Sequence, residues 1–137
     1  MTFDVQLTMT LSEAIRLGAM LRPQAYRRTL DRYGSCALGA AAEAAGARVP
    51  MSHETCLSFL RKRFHDLETA VMPPCSCVFG QQTHFIARVV VHMNDKHQWN
   101  RELIAEWLAT VEPASQTRRT ARNSATLEPR QAEGVCQ

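Results

Sequence analysis

A chain of 137 residues, 45% of them apolar, is enough for one domain with a modest core and too little for two. The formal charge of +3 is unevenly placed: from Pro113 onward Arg118, Arg119, Arg122 and Arg130 face only Glu128 and Glu133, which leaves residues 1–112 nearly neutral and a weak footprint for nucleic acid. No apolar run approaches the roughly 18 residues of a membrane helix, and the opening Met1-Thr-Phe-Asp lacks a signal peptide's basic and apolar stretches. The expectation is a cytoplasmic protein without membrane contact, in which the five cysteines stay reduced.

Residues 1–9 alternate loosely at Phe3, Val5, Leu7 and Met9, as a short edge strand would. Thr10-Leu-Ser-Glu13 is a capping-box pattern and opens a helix over 11–21, with Leu11, Ala14, Ile15, Gly18 and Leu21 on one face and Pro23 beyond its end. Tyr26, Leu30 and Tyr33 are spaced as the apolar stripe of a second helix over 24–33. Arg22, Arg27, Arg28 and Arg32 then form a solvated outer surface rather than a binding patch. Ser35 reads as the N-cap of a helix over 36–45, and Gly46 as its stop. That helix is almost all small residues, so a neighbouring backbone can approach closely, and it is expected at the centre of the packing. Cys36 sits at a helix N-terminus, where a thiol pKa falls, but with no histidine nearby in sequence it reads better as a small buried apolar residue.

Ser52 caps a fourth helix, read over 53–68, with Cys56, Phe59, Leu60, Phe64 and Leu67 as its stripe. Met72-Pro-Pro-Cys75-Ser-Cys77 is a stiff turn. The run from His84 to His92 is rich in β-branched residues and reads as a strand or hairpin around 78–92, although a short helix is an alternative for so brief an apolar run. Asn100 is a good N-cap for a helix over 101–111, Trp99 and Ile104 have staple spacing, and Ile104, Trp107, Leu108 and Val111 make its apolar face. Past Pro113 the periodicity stops, and residues 113–137 read as a basic flexible tail on a domain of residues 1–112.

The densest polar stretch is His92-Met-Asn-Asp-Lys-His97, just ahead of that last helix. Together with the turn it gives Cys75-x-Cys77, a gap, then His92-x4-His97. Two thiolates from a turn and two imidazoles near a helix start are the donor set of a structural zinc site. The single residue between the sulfurs is tighter than the usual spacing, which predicts a strained turn. Asn94 and Asp95 are then candidates to orient the imidazoles. Four protein ligands leave no open position for a substrate, and the only nearby carboxylates are Asp95 and Glu102. No phosphate-binding loop, Gly-x-Gly-x-x-Gly, Gly-x-Ser-x-Gly or His-Glu-x-x-His occurs, so no catalytic residue is assigned and the expectation is a protein that is not an enzyme. The last helix also reads as the first half of a helix-turn-helix, with Ala105 at its close contact. Arg118, Arg119, Arg122 and Asn123 would then reach nucleic acid, although that second helix would lack an apolar face.

Two segments, Leu11-Ser-Glu-Ala-Ile-Arg-Leu-Gly-Ala-Met-Leu-Arg-Pro with Ser35-Cys-Ala-Leu-Gly-Ala-Ala, and His92-Met-Asn-Asp-Lys-His-Gln-Trp-Asn-Arg-Glu-Leu-Ile-Ala-Glu-Trp-Leu, resemble small proteins encoded by phages and prophages. That group carries no assigned activity. The resemblance implies a mobile-element origin and, by analogy with that class, a binding protein acting on host machinery, including anti-defence inhibitors. The combined expectation is a mainly helical α+β domain of about five helices with one short strand or hairpin, pinned by zinc if the four ligands converge. Its partner is expected to be a host protein or protein–nucleic-acid complex, the alternative being DNA or RNA bound directly through the tail and the final helix.

Overall fold

The computed structural model describes residues 9–117. The reading of residues 1–8 as a strand and of Arg118, Arg119, Arg122 and Asn123 as nucleic-acid contacts lies outside them. In chain order the elements are α1 (Leu11–Ala19), β1 (Leu30–Asp31), β2 (Gly34–Ser35), α2 (Ala37–Ala44), α3 (His53–Arg61), a 3-10 turn (His65–Glu68), β3 (Ala70–Val71), a second 3-10 turn (Val78–Gln81), β4 (His84–Phe85), α4 (Ile86–Asp95) and α5 (Arg101–Val111). The strands form two antiparallel pairs, β1 with β2 and β3 with β4. The result is mainly helical α+β, as expected.

Helix α1 begins as its sequence dictates: Thr10 accepts from the Glu13 N–H, and the Glu13 carboxylate accepts from the Thr10 N–H. Its buried face packs against α2, whose Ala37, Leu38, Gly39, Ala40, Ala41 and Ala42 are all buried. The small side chains of α2 allow contact at backbone range. A methyl group on Gly18 would lie 1.8 Å from the Ala40 carbonyl oxygen, and one on Gly39 1.8 Å from that of Thr29. Helix α2 also packs on α3 and α4, and α5 closes the core against α1 and α4. Gly46, at φ 101°, ends the alanine helix: its N–H and that of Ala47 turn back to the carbonyls of Glu43 and Ala42.

Four sequence expectations change. Residues 24–33 are not a helix; they form turns and the β1–β2 hairpin. Arg27 has φ 63°, outside the helical region, and Asp31 folds the hairpin end by accepting from the Tyr33 and Gly34 N–H groups. Of the supposed stripe only Leu30 is buried, while Tyr26 and Tyr33 are 42% and 64% exposed. Cys36, not Ser35, is the N-cap of α2, its sulfur accepting from the Gly39 N–H; Ser35 is instead a buried partner of Arg101. The fourth helix stops at Arg61, because Phe64 adopts an extended backbone that lets both Phe64 and Leu67 reach the core. Finally, the β-branched run is helical from Ile86, with only His84–Phe85 extended. Ile86, Val89, Val90 and Met93 form a fully buried helical face, and this packing overrides the β preference of the valines.

At the other end Asn100 caps α5 by accepting from the Leu103 N–H at 2.7 Å. Residues 113–117 are again helical, and the Ala114 N–H donates to Asp66. No helix among the described residues is long and apolar enough to cross a membrane.

Candidate metal centre

Cys75 and Cys77 lie on the extended link that follows β3, held by Pro73 and Pro74, and Cys77 is the N-cap of the second 3-10 turn. The chain then doubles back tightly. The Gly80 N–H bonds the Cys77 carbonyl at 2.8 Å, and a methyl group at Gly80 would lie 2.1 Å from the Cys75 carbonyl oxygen, so only glycine fits. His92 occupies the last turn of α4. His97 is brought round beside it because the His92 carbonyl accepts from both the Lys96 and His97 N–H groups, after which Gln98 reverses the chain at φ 53°.

These two turns meet. The Cys75 and Cys77 sulfurs are 3.6 Å apart, and Cys77 Sγ lies 3.4 Å from His92 Nε2 and 3.6 Å from His97 Nε2. All four ligand atoms fall within 4.8 Å of one another, and all four residues are half-buried. A tetrahedral ion with sulfur at about 2.3 Å and nitrogen at about 2.0 Å spaces its ligands about 3.3–3.8 Å apart, so the three measured edges already have coordination length. The tight Cys-x-Cys spacing is therefore no obstacle. Pro73 and Pro74 keep the approach extended, and the close return at Gly80 places both sulfurs on one side.

The electrostatics favour ligand chemistry. The His97 imidazole, helped by the Cys75 thiol and His92, holds Cys77 down at about 6, so one thiolate is present at neutral pH. Burial, together with the neighbouring Cys77, pushes Cys75 up. A cation at this point also lies at the C-terminal end of α4, where the helix dipole is negative.

Sequence reasoning missed two side chains here. The Phe79 ring is sandwiched between His84 (3.8 Å) and His92 (3.9 Å), and His84 Nε2 bonds the Phe79 carbonyl. This stack fixes the plane of the His92 ring. The only available signal was an aromatic two residues beyond Cys77, which is weak by itself.

The expected roles of Asn94 and Asp95 change. Neither orients an imidazole in the structure. Asn94 is fully buried on the opposite side of α4, accepting from the Ala37 N–H and Gln24 and donating to the Ala25 carbonyl, while Asp95 accepts from the Arg27 N–H. The other nearby carboxylate, Glu102, pairs with Arg16. Neither acid faces the cluster. A groove of about 410 Å³ runs beside it between Leu57 of α3 and Ala87, Arg88 and Val91 of α4, with Phe79 and His92 closing one end.

Elsewhere, Cys36 and Cys56 are buried in the apolar core; burial pushes the Cys36 thiol up and Cys56 to about 12, so neither is a nucleophile. On the final helix Arg101 points inward to the carbonyls of Ala19, Arg22 and Ser35, and the exposed residues include Glu102 and Glu106. No family model, curated protein or solved structure matches this chain.

Proposed function

We propose that Cys75, Cys77, His92 and His97 hold one structural Zn²⁺, and that the protein is a non-enzymatic, cytoplasmic binding protein of phage or prophage type. Its partner is a host protein or protein–nucleic-acid complex. The observation that carries the metal is the set of sulfur–sulfur and sulfur–nitrogen separations of 3.4–3.6 Å, made by side chains from two different turns. Two sulfurs and two imidazole nitrogens are borderline-soft donors, which suits zinc and not magnesium or calcium. Four protein ligands saturate a tetrahedral ion, and the nearest carboxylates are engaged elsewhere, so the ion's work is to pin the β4–α4 region to the Cys75–Cys77 turn. The binding role is supported by apolar side chains left open at the end of α1, where Leu17, Met20 and Leu21 are 52%, 81% and 57% exposed, and by Val78 at 79% in the metal turn.

Metal analysis of the purified full chain tests the site. About one zinc per chain is expected, with Co²⁺ substitution giving a tetrahedral spectrum, and a strong chelator or Cys77→Ser is expected to lower the melting temperature by roughly 10 °C or more. Substoichiometric metal together with a melt indifferent to chelator overturns the reading.

A further inference from the structure

The β1–β2 hairpin and the turn leading into it carry four arginines against one aspartate between Arg22 and Gly34, with two tyrosines among them. Had this stretch been helical, these arginines would have spread over a solvated face. The structure instead ties Arg22 to the Glu43 carboxylate of α2 and gathers the other three on a loop. Tyr26, Arg27, Arg28, Arg32 and Tyr33 are all exposed, and Lys96, also exposed, follows the Asp95 whose carboxylate holds the Arg27 N–H. Arg32 lies over one face of the Tyr33 ring at 4.8 Å, and at 64% exposure the ring keeps its remaining surface open to solvent.

Large aromatic rings are costly to leave in water, and this loop keeps two of them there at fixed positions. Polar side chains from distant parts of the chain hold its backbone: buried Arg101 donates to the Arg22 carbonyl at 2.7 Å, buried Asn94 to the Ala25 carbonyl at 2.9 Å, and half-buried Asp95 accepts from the Arg27 N–H at 2.8 Å. Arg27 is kept in the left-handed region, an uncommon conformation for a residue with a side chain. Two of the cations are only partly neutralised: Arg28 pairs with Asp31 while remaining 60% exposed, and Arg32 is occupied by the Tyr33 ring and hydroxyl, not by a carboxylate. Preorganised rings flanked by guanidinium groups match the chemistry of an unpaired strand, whose bases stack on aromatic faces while its phosphates meet cations. A duplex hides its base faces and has no use for the rings.

We infer that the surface formed by Tyr26, Arg27, Arg28, Arg32 and Tyr33 binds single-stranded nucleic acid, by base stacking on the two tyrosines and phosphate contact with the arginines. This extends the binding role proposed above by naming the chemistry the partner presents. It does not depend on the metal, so a failed zinc test leaves it standing.

The test is fluorescence anisotropy of the full chain with labelled oligothymidylate and oligouridylate of about a dozen nucleotides, and with a duplex of equal length. Single strands are expected to bind more tightly than the duplex, with affinity falling steeply between about 50 and 200 mM salt. Tyr26→Ala and Tyr33→Ala should each weaken binding about tenfold, Tyr33→Phe should retain most of it, and Arg27→Ala and Arg28→Ala should each lower the salt slope by about one. All of these side chains are exposed, so unchanged melting temperatures confirm that the variants fold. Alanine at Arg118, Arg119 and Arg122 together should leave the preference for single strands intact. No binding at low salt, equal binding of duplex, tyrosine variants that bind as well as the parent, or loss of binding on the triple tail substitution alone would each overturn the assignment.

Discussion

Between α1 and α2 the chain approaches itself so closely that Gly18 has no room for one methyl group, whereas at the candidate metal centre a turn between elements two to four residues long meets the C-terminal end of α4 through four side chains. The first region is held by dispersion and apolar burial spread over many small contacts, a mode that tolerates no added volume. The second has strands and 3-10 turns too short to be stable by themselves, and gathers its strength at a single point. The contrast sets two ways of holding one small domain side by side: apolar contact at backbone range, and convergence of cysteine and histidine side chains where the elements are short.

The largest single-residue effect is expected at Gly18→Ala. Its methyl group would meet the Ala40 backbone, which cannot rotate away, and overpacking of this kind costs about 3 kcal/mol. Thermal melts should show the same decrement with metal and with chelator, since the ion does not touch this contact. A decrement that vanished in chelator would merge the two regions into one. Gly80→Ala should behave in the opposite way. Its methyl group meets the Cys75 carbonyl and displaces a ligand turn, so competition titration should report metal affinity lowered about 10- to 100-fold, with little change in the chelated melt.

The smallest effect concerns Glu112, which is fully buried and whose carboxylate, among the described residues, is bonded to Ser12 and Ser115. Burial raises its carboxyl above the ordinary value, against the pull of those hydrogen bonds, so the fold prefers the protonated form. The stabilisation from that proton is complete below the ordinary carboxyl pKa and is lost as pH rises through the elevated one. Glu112→Gln imitates the protonated acid. The two proteins should therefore melt alike below the ordinary carboxyl range, and the variant should gain on the parent as pH rises above it, by about 1 kcal/mol for a rearrangement of this size. A gap that is constant with pH would show that Glu112 is charged throughout.

The parts of the fold written in short-range chemistry were readable in the sequence. Thr10 with Glu13, Ser52 and Asn100 are caps whose partners lie three residues away, and the alanine-rich helix announced its own close packing. The convergence of Cys75, Cys77, His92 and His97 was readable because donor type narrows the choice so sharply, even though the Cys-x-Cys spacing argued against it. Residues 24–33 were not readable, since their path is set by Asn94, Asp95 and Arg101, which lie some 70 residues away and whose hydrogen bonds leave no local trace. The misreading of the run before His92 was avoidable. Ile86, Val89, Val90 and Met93 repeat at three and four residues, and that period should have outweighed the β-branched composition.

The last turn of α4 presents His92 to one neighbour and Asn94 with Asp95 to another, so a single turn of backbone serves both the sulfur cluster and the arginine-rich hairpin. A displacement of this turn would therefore move the His92 ring and the contacts of Asn94 and Asp95 together. If an ion and a strand each favoured the same arrangement of this turn, each would raise the other's affinity by one common factor.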